Sequence, residues 1–415
     1  MDLNAFRWAV GIEDTFIGQP HPRTGRVLDE YDLIDHYRRW RADLDLVAGL
    51  GIGTMRYGIP WYRVEPSPGR FDWRWTDMVL EHLVGRLGVA PIVDLMHYGT
   101  PIWLERSFAN LDYPARVGAY ASAVADRYGG LVSWYTPLNE PVINAIFCGR
   151  NGVWPPNLRG ERGYVRVLLA LAAGMAETIR ALRAAQPATV IVHVESADWQ
   201  STDIPELASR VAWTQTMHAL PAELVLGRVD ANHPTRDWLL EHGATVEALD
   251  ALRADPQRID VMGVNFYPHL SRSQLDEDDG IVRRRRRYAT GADLGALLAS
   301  VHARFGLPVM VTETSDNAAV ARRSRWMEAS VNGVRGARAQ GVPVIGYTWW
   351  PAFSLAGWDW RGGRRDLDAY WCHMGLWDIA DAATLERVPT SLVDQFRGLA
   401  ADGNARIGTI AELAA

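Results

Sequence analysis

Two glutamates carry the clearest chemical signal in this sequence. Trp134-Tyr-Thr-Pro-Leu-Asn-Glu-Pro141 runs from a strand-like stretch into Asn139 and Glu140, and Pro308-Val-Met-Val-Thr-Glu-Thr314 runs from an apolar stretch into Glu313. If both strands belong to one parallel barrel, their ends open onto a common mouth and the two carboxyls face each other. At a separation of about 5–5.5 Å, one carboxylate attacks an anomeric carbon while the other protonates the leaving oxygen, and configuration is retained; a wider gap implies inversion. The pair works only if its two pKa values are driven apart, because one member must be ionised while the other is protonated. Arg56 and Tyr267, each at the end of another strand-like run, could hold Glu313 ionised by charge and hydrogen bonding.

Composition narrows the alternatives. All 43 residues counted as Lys+Arg are arginine, which excludes Schiff-base, pyridoxal phosphate and phosphate-loop chemistry built on a lysine amine. Eighteen tryptophans suit a protein that stacks indole faces on sugar rings, although many must serve the core. A net charge of −6 predicts no broad grip on nucleic acid, and no run of about 18 apolar residues predicts a membrane span. The N-terminus lacks a signal-peptide pattern, and Cys148 and Cys372 lack metal-type spacing, so two free thiols in the cytoplasm are expected. No cofactor or metal is implied.

Eight β-branched apolar runs alternate with helical patterns, the order of βα units around a parallel sheet. The strands are expected near residues 6–12, 54–58, 90–96, 133–138, 190–194, 261–266, 308–311 and 344–349. Helical patterns occupy 31–50, 112–128, 163–185, 204–219, 293–305 and 318–339. No linker, repeat or composition break divides the chain, so residues 1–415 are read as a single α/β domain, a (β/α)8 TIM barrel with long βα loops. Gly49-Leu-Gly-Ile-Gly53 follows a helix and precedes a strand, the reverse of a dinucleotide fingerprint, and reads as a helix stop. Arg283 to Arg287, just after Asp276, Glu277, Asp278 and Asp279, reads as an exposed loop whose charges partly compensate.

The succession of motifs resembles glycoside hydrolase family 1, the retaining β-glycosidases of clan A. Thr136-Pro-Leu-Asn-Glu-Pro141 is similar to that family's acid/base signature, and Val311-Thr-Glu-Thr314 to its nucleophile segment. Met55-Arg-Tyr-Gly-Ile-Pro-Trp61, Asp94-Leu-Met-His-Tyr-Gly-Thr-Pro101, Gly263-Val-Asn-Phe-Tyr267 and Gly346-Tyr-Thr-Trp-Trp350 resemble its second, third, sixth and C-terminal segments. The resemblance implies that Glu140 is the acid/base, Glu313 the nucleophile and Asn139 the donor to the sugar 2-hydroxyl. It also implies that Arg56, Asn265 and Tyr267 support the pair, that His97 binds a sugar hydroxyl, that Trp350 forms the floor and that Trp358 donates from its indole.

Two departures bear on specificity. Gly357 stands where the family carries a glutamate for the outer hydroxyls, with Asp359 two residues on as a possible replacement. Gly11-Ile-Glu-Asp-Thr15 stands where a glutamine-containing segment is usual; Glu13 is the candidate replacement and Asp14 the runner-up. The reading is a hydrolase of a small β-glycoside with atypical sugar preference, working through a glycosyl-enzyme that water or another acceptor intercepts. The alternative is a barrel that binds carbohydrate without turnover. His193, Glu195 and Asp198 cluster at another strand end as further candidates for substrate contact. Neither nucleic acid nor membrane is expected as a partner, and the oligomeric state is left open.

Overall fold

Most of the expected strand runs are short, apolar and rich in Val and Ile, as strands buried on both faces tend to be, whereas the runs at 54–58 and 133–138 are built on Met, Tyr, Trp and Thr. In the computed structural model, which describes residues 5–406, these runs form eight parallel strands. They are β1 (Arg7–Gly11), β2 (Thr54–Gly58), β3 (Ala90–Asp94), β4 (Trp134–Thr136), β5 (Val190–Ser196), β6 (Val261–Asn265), β7 (Val309–Thr314) and β8 (Val344–Trp349). Neighbours in sequence are neighbours in space, and β8 pairs with β1 to close the barrel.

Alternate residues point to opposite sides of the barrel wall. Ala9, Ile92, Trp134, Val192, Val194, Val261, Met310 and Ile345 fill the interior as their own cluster, while a larger core joins the outer wall to the surrounding helices. The barrel is therefore a packed plug, and chemistry is confined to its C-terminal mouth. Among the described residues, no helix is long and apolar enough to cross a membrane.

Three local expectations need correction. The helical pattern at 31–50 is two helices, Glu30–Leu33 and His36–Ala48, separated by Asp35 in a left-handed conformation. The break orients His36 toward Asp43 and the Tyr57 hydroxyl, at 2.8 and 2.7 Å; apolar spacing reports a buried face and cannot register a hinge that preserves it. The arginine run is mostly a strand: Ile281–Arg286 pairs antiparallel with Arg272–Asp278, which pairs with Trp199–Thr202 in a small sheet outside the barrel. Pairing across that hairpin sets Arg285 and Arg287 against Asp276, and Arg284 reaches Asp198 at 2.5 Å, so charge compensation holds although the loop does not. Finally, β7 continues through Glu313 to Thr314.

Candidate active site

Glu313 owes its aim to an irregularity in β7. Val311 pairs with Val264 and Glu313 with the next residue of β6, Asn265, so Thr312 is accommodated as an extra residue between them. The Thr312 hydroxyl donates to Asn265 Oδ1 at 2.7 Å, which fixes that amide with its NH2 pointing across the mouth. The NH2 then donates to Glu140 Oε1 at 2.9 Å and to Asn139 Oδ1 at 3.2 Å. Glu140 itself has a left-handed backbone (φ 45°), held by its N–H on the Val194 carbonyl and by Asn144 N–H on its own carbonyl. Such a conformation costs about 1–3 kcal/mol and persists only where surrounding bonds over-determine it.

Arg56, fully buried in the middle of β2, ties the cluster together. Its guanidinium donates to Glu313 Oε1 (2.7 Å), to the Thr312 carbonyl (3.1 Å), to Asn139 Oδ1 (3.1 Å) and to Asp94, and it lies over the Trp350 ring at 4.6 Å. Tyr267 donates to the other oxygen of Glu313 at 2.6 Å. On the far wall, His97 Nδ1 is 2.5 Å from Asp14 and 3.7 Å from Asp94, while its Nε2 meets Asn139 Nδ2 at 2.9 Å. Glu13 accepts from the Trp350 indole at 2.8 Å and from Thr15 at 2.6 Å, and lies 4.0 Å from His97. Two glycines make room: a Cβ on Gly11 would fall 2.0 Å from the Trp350 ring, and one on Gly58 2.1 Å from the Asp14 carboxylate.

The sequence candidates Glu13, Arg56, His97, Asn139, Glu140, Asn265, Tyr267, Glu313 and Trp350 thus meet in one network. Trp358 joins it at the rim through Tyr98, with ring centroids 5.3 Å apart. Asp359 is exposed, yet its Oδ1 would be 2.9 Å from a Cβ on Gly357, so it lies against the position that lacks a carboxylate. The trio His193, Glu195 and Asp198 lies elsewhere. Val192 and Val194 take the inward positions of β5, so His193 faces outward into a cavity of about 160 Å³ that Glu195, Asp198, Met262 and Phe305 also line.

Sequence reasoning missed Tyr98 and Asp94 as members of the network and ranked Asp14 second. Tyr98 donates to Glu140 Oε2 at 2.5 Å and accepts from Asn139 Nδ2 at 2.9 Å. Its place directly after His97 at the end of β3 was the available signal. Asp14, Asp94 and His97 also bring three ligand-type atoms together, but the Arg56 guanidinium already supplies the cation at Asp94.

Electrostatically the mouth is dry and acidic. Glu140 and Glu313 are only 6% and 4% exposed. Burial pushes Glu313 up to about 8, with Arg56 pulling it down and Glu140 pushing it further up. Burial likewise raises Glu140, against hydrogen bonds from Tyr98 and Asn265 that favour its ionised form. Hydrogen bonding treats the two carboxyls differently: Arg56 can only donate, so Glu313 is matched as carboxylate, whereas Glu140 receives donors from neutral groups alone. Burial works against a charged His97, yet Asp14, Asp94 and Glu13 raise its pKa well above the usual histidine value. Burial lifts Asp14 to about 6, and Arg56 and His97 keep Asp94 below the ordinary range despite its burial. A water-poor site with this excess of carboxylates can stabilise positive charge developing on a sugar ring.

The family model for glycosyl hydrolase family 1 matches residues 9–289, more than half of the chain. The chain belongs to glycosyl hydrolase family 1. That match contains Glu13, Arg56, His97, Glu140, Asn265 and Tyr267 and ends before Glu313, Trp350 and Trp358. Among curated family relatives, thermostable beta-glucosidase B of Thermobispora bispora is 25% identical over 396 residues, covering 86% of this chain and 78% of that protein. A bifunctional beta-D-glucosidase/beta-D-fucosidase of Bifidobacterium breve is 37% identical over 153 residues, 32% of this chain and 31% of that one. In architecture, the family 1 beta-glucosidase of Thermotoga maritima superposes with a TM-score of 0.82 at 19% identity, covering 96% of this chain and 98% of that chain. The protein is therefore an O-glycosyl hydrolase on a family 1 barrel.

Proposed function

We propose that this hydrolase cleaves a small β-glycoside with retention, Glu313 acting as nucleophile and Glu140 as acid/base. The observation that carries the assignment is the asymmetry of donors. Glu313 receives a guanidinium and a phenol and is matched as carboxylate, while Glu140 sits among neutral donors and can keep a proton for the leaving oxygen. Attack by Glu313 gives a covalent glycosyl-enzyme; Glu140, now a carboxylate, deprotonates the water that releases it. Asn139, tied to Arg56, His97 and Asn265, presents an amide to the sugar 2-hydroxyl. His97 and Glu13 take secondary hydroxyls, Trp350 lies beneath the ring, and Trp358 donates from the rim.

The sugar follows from the outer wall. Gly357 offers no carboxylate, Asp359 beside it is exposed, and Glu13 is buried deeper in the site. A hexose loses a charge-assisted hydrogen bond at its outer hydroxyls, typically about 1.5–3 kcal/mol, so preference for glucosides over 6-deoxy sugars and pentosides weakens. The name of the Bifidobacterium breve relative, which joins glucosidase to fucosidase, supports the same pairing of sugars. The test is turnover of matched nitrophenyl β-glucoside, galactoside, fucoside and xyloside. The reading expects hydrolysis, with kcat/KM for the glucoside no more than about tenfold above the best pentoside or 6-deoxyglycoside. A hundredfold glucoside preference would overturn the specificity, and sugar binding without turnover of any of them would overturn the mechanism.

A further inference from the structure

Each of the two carboxyls receives a phenol, and the two phenols are held differently. Tyr267 donates to Glu313, which also has Arg56. Tyr98 donates to Glu140, which has no cation within hydrogen-bonding reach among the described residues. Tyr98 adopts a left-handed backbone (φ 74°) directly after His97, is 1% exposed, and packs its ring edge-on against His97 and Trp358, with centroids 4.6 and 5.3 Å away. Asn139 Nδ2 donates into its phenol oxygen, so the hydroxyl proton is left to point at Glu140 Oε2.

The two oxygens of Glu140 therefore have unlike partners. Oε1 faces the NH2 of Asn265, which Thr312 locks in orientation and which can only donate. A proton on Oε1 would set two donors against each other. Oε2 faces a hydroxyl, which donates to a carboxylate and, after rotating, accepts from a carboxylic acid. We propose that Tyr98 is a positioning residue for the acid/base, assigning the transferable proton to Oε2 and remaining bonded in both protonation states. This rests on the reading of Glu140 given above. A residue that alternates between acid and base needs a partner of this kind, whereas a nucleophile that must stay ionised is served better by a fixed cation.

The other titratable groups facing Glu140 are Glu313, Tyr267, His97 and Glu13 around the mouth and Glu195 behind it. Tyr98→Phe leaves all of them, together with the ring packing, in place. Loss of two buried hydrogen bonds, the one to Glu140 and the one from Asn139, should lower Tm by only about 2–4 °C in a chain of this length. The variant removes a donor that favours ionised Glu140, so the proton is held more tightly. The alkaline limb of kcat/KM then moves upward by about 0.5–1 pH unit. With the proton no longer directed, kcat/KM for an alkyl β-glycoside should fall about tenfold or more, and that for a dinitrophenyl β-glycoside less than about threefold. An unmoved limb, or equal losses on both substrates, would overturn the proposal. Glu140→Ala run in parallel separates the two readings: if its loss is the same for both substrates, the acid/base assignment fails and not only the role of Tyr98.

Discussion

His97 and His193 are both buried, both lie on or beside barrel strands, and both stand near carboxylates, yet their surroundings push them in opposite directions. His97 faces the mouth against Asp14, Asp94 and Glu13, and its pKa is raised well above the ordinary value. His193 faces the helices, has no hydrogen-bond partner for its Nε2, and burial drives its pKa down to about 4. The acids differ in the same way. Glu313 has Arg56 and Tyr267, whereas Glu195 leans on the Val142 and Ser196 amides and the Ser196 hydroxyl. The lesson is that side-chain type and a place at a strand end do not make a site. The face of the pleat, and the charges that face collects, do.

The sharpest way to break this contrast is to alter one acid in each place. Glu313→Ala should cost about 10⁴-fold or more in kcat, with azide restoring turnover and giving inverted product, while Glu195→Gln, which keeps one acceptor oxygen for Ser196 and gives up the one facing the Val142 N–H, should stay within about threefold of the parent. A comparable loss at Glu195 would make the outer cavity part of the chemistry. The cations come next. Arg56→Met strands buried carboxylates and should destabilise the fold by about 3–5 kcal/mol in denaturant melts, whereas Arg304→Met, which breaks a partly exposed pair with Glu223, should cost less than about 1 kcal/mol.

The histidines sharpen the contrast through pH. His193 is depressed from 6.5 to about 4, so protonation favours the unfolded chain; its contribution is present above 6.5 and is lost as pH falls through 4. His193→Leu should therefore flatten the acid side of the stability curve, removing about 3 kcal/mol of its fall between pH 7 and 3. His97 has the opposite sign. Its pairing stabilises most at low pH and fades as pH rises through its elevated pKa, so His97→Gln should weaken the acid-side advantage and raise KM. Like slopes for both variants in urea melts across pH would contradict the contrast.

Much of this was legible in the sequence because a parallel barrel repeats one instruction eight times. Runs such as Thr54 to Gly58 and Val344 to Trp349 have no competing interpretation once helical patterns separate them. Glu140 and Glu313 stood out because each follows such a run. What was not legible is which face of a strand buried on both sides meets the mouth: Val-His-Val-Glu at 192–195 alternates apolar with polar, which puts His193 and Glu195 on one face without marking that face as the outward one. Tyr98 escaped for a different reason. Its place after His97 marks it as near the site, but its role depends on a left-handed backbone and on an asparagine 41 residues away, neither of which leaves a pattern near the residue itself.

The central claim is that Glu313 carries the glycosyl group and Glu140 the proton. The most direct measurement is to trap the intermediate with an activated 2-deoxy-2-fluoro-β-glycoside, digest the protein and locate the added mass by tandem mass spectrometry. The account predicts one sugar per chain, esterified to Glu313 in the peptide spanning Val309 to Thr314 and absent from the Glu313→Ala variant. A sugar found on Glu140, or steady hydrolysis with inversion and no trapped adduct, would contradict it.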